Sequence, residues 1–317
     1  MVGLSLAEKK YVEGGIAQGL RSDGRGLHDF RTFSVELAII PQANGSARVR
    51  LGATDVIASV KAELGRPLSG RPNQGRVEIN IECSPTAAPQ FEGRGGEELS
   101  LELSRALHRS LLGGGSGAGA AIDLSALSVI EGKLCWNLFI DGLVLSSDGN
   151  LLDVLAIAIK AALSNTGIPK VEVTSAAAAE QEANFEISDN PDDFSQFDTS
   201  RVPVIITLTK VGRTYIIDAT EEEESQMSSA VSIAVNSLGH VCGITKRGGA
   251  GLDTSVLLDM ISVSKEVSKS LLATVDAEIM AAESRNGNFF ILVLVSSHYF
   301  VHVASPLFKS QVQAWLG

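Results

Sequence analysis

Residues 150–164, Asn150-Leu151-Leu152-Asp153-Val154-Leu155-Ala156-Ile157-Ala158-Ile159-Lys160-Ala161-Ala162-Leu163-Ser164, are apolar almost all the way round a helical wheel. A surface helix carries one apolar stripe, whereas a helix apolar on every side must be covered on every side. The fold is therefore expected to be built around this segment as a buried helix. Asn165-Thr166-Gly167-Ile168-Pro169 supplies its stop, since glycine favours the residue after a helix and proline cannot continue one. With 317 residues the chain is long enough for one large domain or two modest ones around a real core.

The rest of the chain alternates between two periodicities. Residues 5–20 read as a short helix with Leu6, Tyr11, Val12 and Ile16 apolar, stopped near Gly19. Strand-like runs follow at 32–40, 47–51, 55–61 and 76–83, several alternating apolar and polar residues as a half-buried sheet does. Leu99, Leu103, Leu107 and Leu111 recur every four residues and predict a helix over 97–112, followed by the glycine-rich loop 113–121. That loop lacks the Gly-Lys-Ser/Thr ending of a P-loop. Further strands are expected at 123–130 and 133–145, then at 202–209, 214–218 and 240–245 beyond the buried helix. An amphipathic helix over 254–283 turns Leu257, Ile261, Val267, Leu271, Val275 and Ile279 toward the core. The pattern predicts an α/β (α+β) fold of mixed sheets covered by helices in a duplicated strand–helix arrangement. The expected body is 1–283, in two halves near 1–170 and 200–283, with an exposed acidic loop at 175–200.

Composition narrows the function. The formal net charge of −11 is opposite to that of a free-standing nucleic-acid binder, so any RNA contact must be a local patch or be completed by a partner. Cys83, Cys135 and Cys242 are far apart, form no Cys-x-x-Cys pair, and read as buried reduced thiols. The first fifteen residues are too polar for a signal peptide. Residues 284–317 contain the apolar runs Phe289–Val295 and Phe300–Phe308. His298, His302, two serines and Pro306 argue against a membrane span, and an irregular apolar tail is expected.

Four segments resemble the RNase PH family. They are Arg21-Ser22-Asp23-Gly24-Arg25; Pro89 to Gly96 leading into Glu102–Leu111; Trp136 through Asp148-Gly149-Asn150-Leu151-Leu152-Asp153; and Ile217-Asp218-Ala219-Thr220-Glu221-Glu222-Glu223-Glu224. They stand in the family's order across residues 5 to about 283. The resemblance implies an RNase PH-like fold and a place among the subunits of the RNA exosome ring. Partners would be other RNase PH-like chains in a hetero-hexameric ring, RNA-binding cap subunits and RNA, with no membrane. Localisation would be nuclear, nucleolar and cytoplasmic, and the role would be support of 3′-to-5′ RNA processing and decay.

Active members of the family attack the last phosphodiester with inorganic phosphate, which demands positive charge and hydrogen-bond donors around the phosphate. They carry a hydroxyl residue and an arginine at a helix N-terminus after Asp-Gly, where this chain has Leu151 and Leu152. They also keep an aspartate about a dozen residues beyond the position of Asp218, where the count lands on Ala230. The expectation is that there are no catalytic residues, metal or cofactor. The alternative is an active phosphate-dependent 3′–5′ exoribonuclease.

The RNA-binding candidates are Arg105, Arg109 and Arg94. Arg105 and Arg109 share one helix face, and the resemblance places that helix on the RNA path. The competing reading is a solvated face with Glu102 pairing to Arg105, worth tenths of a kcal/mol. Arg94 lies in a glycine-rich bend and is expected to be exposed. Glu221–Glu224 read as a solvated acidic patch, Arg21 and Arg25 as shaping a turn and holding an interface. His28, His108 and His240 stay unassigned.

Overall fold

A computed structural model describes residues 5–113, 121–174, 184–187 and 194–303, with side chains except at 172–174, 184–187 and 286–303. In chain order the elements are α1 (Leu6–Ala17), β1 (Phe33–Leu37), β2 (Gly45–Leu51), β3 (Thr54–Gly65), β4 (Arg76–Cys83), α2 (Arg94–Leu112), β5 (Ser128–Ile130) and β6 (Leu134–Ser146). There follow α3 (Leu151–Ser164), β7 (Gly167–Pro169), β8 (Val171–Thr174), β9 (Asn184–Ile187), β10 (Phe194–Gln196), β11 (Val204–Val211) and β12 (Thr214–Ile217). The last are α4 (Glu221–Glu224), β13 (Met227–Val235), β14 (Val241–Arg247) and α5 (Thr254–Val303).

The first sheet runs β1-β2-β3-β6-β4, with β5 on β6; β4 is parallel to β6, and the other pairs are antiparallel. Its strands alternate as the sequence predicts. In β4, Val77, Ile79, Ile81 and Cys83 turn inward under α2. The second sheet, β12-β11-β13-β14, is wholly antiparallel.

Helix α3 lies between the two sheets, packing on β2 and β3 on one side and on β11 on the other. This is why it needs apolar residues all round, and every residue from Leu151 to Leu163 is buried. Gly45 permits the approach: a Cβ there would collide with Thr166 and with the backbone of Ala162. On its far face the second sheet is covered by α5, which packs on β11 and β13. Covered on both faces, these two strands show no alternation.

Three expectations change. β13 was not foreseen; with α3 and α5 on opposite faces its period-2 signal vanishes, and Ser229 and Ser232 interrupt the apolar run. The helix expected to stop at 283 continues to Val303, so 284–303 is helical where an irregular tail was expected, and 304–317 lie outside the described residues. Within the expected acidic loop, Asn184–Ile187 pairs with β8, and Phe194–Gln196 pairs with β7. Among the described residues no helix is long and apolar enough to cross a membrane.

Candidate functional site

The N-terminus of α3 meets the segment between β12 and β13, and a buried charge cluster joins them. Asp218 adopts a left-handed backbone conformation (φ 51°) with its carboxylate fully buried. Arg31 donates to it from its backbone N–H at 2.7 Å, from Nε at 2.9 Å and from Nη2 at 2.7 Å. Arg25 donates from Nη1 at 2.8 Å and Asn150 from Nδ2 at 2.8 Å. Burial alone would raise the pKa of Asp218; the hydrogen bonds and charge of Arg31 more than reverse it and hold the carboxyl below its ordinary value. Arg21 is buried beside it, donating from Nε at 2.9 Å and Nη2 at 2.6 Å to Glu223 and from Nη1 at 2.9 Å to the carbonyl of Ile217.

One reading is corrected here, and a second, in which Arg25 does shape its turn by bonding Asp23, is extended. Glu221–Glu224 form a helical turn rather than a wholly solvated patch, because Glu223 turns inward to neutralise Arg21. Arg21 and Arg25 clasp the second half of their own chain, as their guanidinium forks match the carboxylates and carbonyls around Asp218.

Leu151 and Leu152 open α3 as buried core residues, offering no side-chain donor to an anion. Ala230 is buried mid-strand in β13, opposite Thr209 of β11 and Arg247 of β14. The anion at the head of α3 is instead the chain's own: the Glu224 carboxylate accepts the N–H of Asn150 at 3.0 Å. Among the described residues no three His, Cys, Asp or Glu side chains come together as metal ligands.

Asp153, one turn in, is fully buried and accepts from the backbone N–H of Thr207 at 2.9 Å; its other oxygen lies 2.6 Å from the Thr207 hydroxyl. Burial drives its pKa up to about 7, with Asp218 adding to the rise and Thr207 opposing it. The folded chain thus holds a proton that the unfolded chain releases near pH 4. Stability should fall by up to about 4 kcal/mol as pH rises from 4 to 7 through this group. Asp153→Asn should remove that slope, so that denaturant midpoints of variant and wild type diverge in the variant's favour as pH rises from 4 to 7. Parallel curves would refute the assignment.

A second feature lies on the outer side of α2. A groove of 1240 Å³ is lined by Arg66 and Arg71 from the β3–β4 connection, Arg76 at the start of β4, Arg105 and Arg109 from α2, and Arg201 ahead of β11. All six arginines are exposed. Arg76 pairs with Glu78; among the described residues the other five have no ion-pair partner within 4 Å. The Glu102–Arg105 pair that would make this a merely solvated helix face is not formed. His108, Leu68 and Leu101 share the groove. Arg94 does not: it is exposed at the head of α2, about three turns from Arg105. Arg66 and Arg71 were visible in sequence as arginines between two strand-like runs and Arg76 as the first residue of the second run, whereas nothing local tied Arg201 to α2.

Comparison with known proteins places this architecture. Family profiles described as 3′ exoribonuclease family, domain 1 and domain 2 match residues 29–169 and 201–267. A Dictyostelium discoideum protein, named among exosome complex RRP42 exonucleases, is 34% identical over 87% of this chain and 98% of its own length. The exosome complex component Rrp42 of Methanopyrus kandleri is likewise 34% identical over 87% of this chain and 98% of its own. Among solved structures, a chain of the Archaeoglobus fulgidus exosome with RNA bound to the active site superposes with a TM-score of 0.69 at 32% identity, covering 84% of this chain and 97% of that one. With both domains present in order, and close relatives matched over nearly their whole length, the chain belongs to the RNase PH family of 3′ exoribonucleases.

Proposed function

We propose that the chain is a non-catalytic subunit of an RNA exosome ring, contributing part of the RNA path and none of the chemistry. The observation that supports this is the pairing of an arginine groove with a helix start whose Leu151 and Leu152 offer an anion no side-chain donor. In a chain of net charge −11, five exposed arginines with no ion pair among the described residues converge on one groove. An RNA backbone is the polyanion such a groove fits, and phosphate contacts from Arg105 and Arg109 supply affinity without reading sequence. Arg94 would meet RNA only beyond the groove. By the family resemblance, Leu151, Leu152 and Ala230 take the places of the phosphate clamp and the acid that phosphorolysis needs, which supports a chain without that chemistry. On this reading the partners are other RNase PH-like chains in a hetero-hexameric ring with RNA-binding caps, acting in nucleus, nucleolus and cytoplasm in rRNA maturation and mRNA decay.

Two measurements test it. Gentle affinity purification of the tagged chain should recover several RNase PH-like proteins in near-equal amounts; recovery only as its own oligomer counts against a mixed ring. The purified chain, given single-stranded RNA and inorganic phosphate, should release no nucleoside diphosphates. Release would favour the alternative of an active phosphate-dependent exoribonuclease.

A further inference from the structure

The start of α3 already has an anion, and that anion is covalently part of the chain. Asn150 precedes the helix but does not cap it, because its side chain is committed to Asp218. The positive end of the helix dipole is left to attract negative charge from elsewhere. Glu224 supplies it, its Oε1 accepting the Asn150 N–H at 3.0 Å. Nη2 of Arg247 stands 3.7 Å from the same oxygen, beyond hydrogen-bond range, and the Nε of Arg247 is buried with no hydrogen-bond partner.

These groups border a cavity of 290 Å³ whose walls include Phe91, Gly149 and Leu151. A backbone donor at a helix start and an under-used guanidinium are the parts of an oxyanion site, and a carboxylate stands between them. Burial raises the pKa of Glu224, with Arg247 and the Asn150 N–H opposing. The backbone of Glu224 is held in place. Its own N–H is bonded to the Thr220 carbonyl at 2.8 Å, and its neighbour Glu223 is held in a two-point pair by Arg21.

We propose that Glu224 is a resident anion that closes an oxyanion site at the N-terminus of α3 and keeps inorganic phosphate out of it. The inference rests on the non-catalytic reading above and deepens it: the centre lacks a phosphate clamp and is also occupied.

The test is phosphate binding by the purified full chain, followed by 31P line broadening and by melting in phosphate against chloride of equal ionic strength. The unmodified chain should show no Arg247-dependent binding. Glu224→Gln keeps the shape and an acceptor for Asn150 but loses the charge. It should bind phosphate saturably, melting about 3 °C higher at tenfold the dissociation constant. Adding Arg247→Ala should abolish that shift. Glu224→Ala, which removes the side chain that Gln leaves in place, should bind phosphate at least as tightly as Glu224→Gln, again only with Arg247 present.

The proposal is overturned if the folded variants bind no phosphate, or if their binding survives Arg247→Ala. It is equally overturned if the unmodified chain binds as tightly as Glu224→Gln, or if neither variant folds, since Glu224 would then be a residue the fold itself requires. None of these readouts involves RNA or a ring partner, so failure here leaves the ring-subunit proposal to its own tests.

Discussion

Asp218→Ala should cost the chain about 3–5 kcal/mol of stability, roughly 10 °C in melting temperature, the largest loss expected from any single substitution at this site. The carboxylate balances Arg25 and Arg31 and takes the Asn150 amide, all in a buried junction. Removing it leaves guanidinium charge with no full counter-ion in a poorly hydrated place. Alanine also tolerates the left-handed backbone at residue 218 badly, a strain of about 1–2 kcal/mol. Asp218→Asn separates the two effects, since asparagine accepts that backbone but not the charge role. Because the folded-state pKa lies below the ordinary value, the stabilisation is present above about pH 4 and is lost as pH falls through the folded pKa. Chemical denaturation from pH 7 to pH 3 should therefore show wild type converging on the variant at the acid end. An Asp218→Ala chain within 1 kcal/mol of wild type at pH 7 would show that the cluster is not what joins the halves.

The second large effect is on RNA. In the assembled ring, Arg105→Glu with Arg109→Glu should weaken single-stranded RNA binding by about 10- to 100-fold at low salt. The slope of log affinity against log salt should flatten by about 1.4, the value for two lost phosphate contacts. Both side chains are exposed and have no ion-pair partner among the described residues, so the melting temperature of the chain should hardly move. Reversing Arg66 and Arg71 as well should flatten the slope further. Unchanged affinity and slope in the double variant would return these arginines to an ordinary solvated helix face.

What the sequence made legible was the part governed by local periodicity. Leu103, Leu107 and Leu111 are buried along α2 as their spacing predicts, and α3 is buried all round because its composition allows nothing else. Where two layers cover a strand, the period disappears, and β13 went unseen for that reason. The charge cluster was beyond any local pattern: Arg31 and Asp218 are 187 residues apart, and only the closed fold makes them partners. Glu223 and Glu224 looked like surface because four adjacent carboxylates usually are. A single helical turn sends one inward to Arg21 and the other to the head of α3. Arg105 and Arg109 were found because they share a helix face, whereas Arg201 reaches the same groove only through the packing of the second half on the first.

The position of α3 between the sheets also has a consequence for how the chain is made. One wall around the helix, β2 and β3, is synthesised before it, but the other is not complete until β13 ends at Val235. At the about 5–20 residues per second of translation, an apolar helix waits on the order of several seconds with one flank bare. A nascent chain in that state should bind a ribosome-associated chaperone, and slowing elongation between codons 165 and 235 should lengthen that dependence and increase aggregation of the newly made protein.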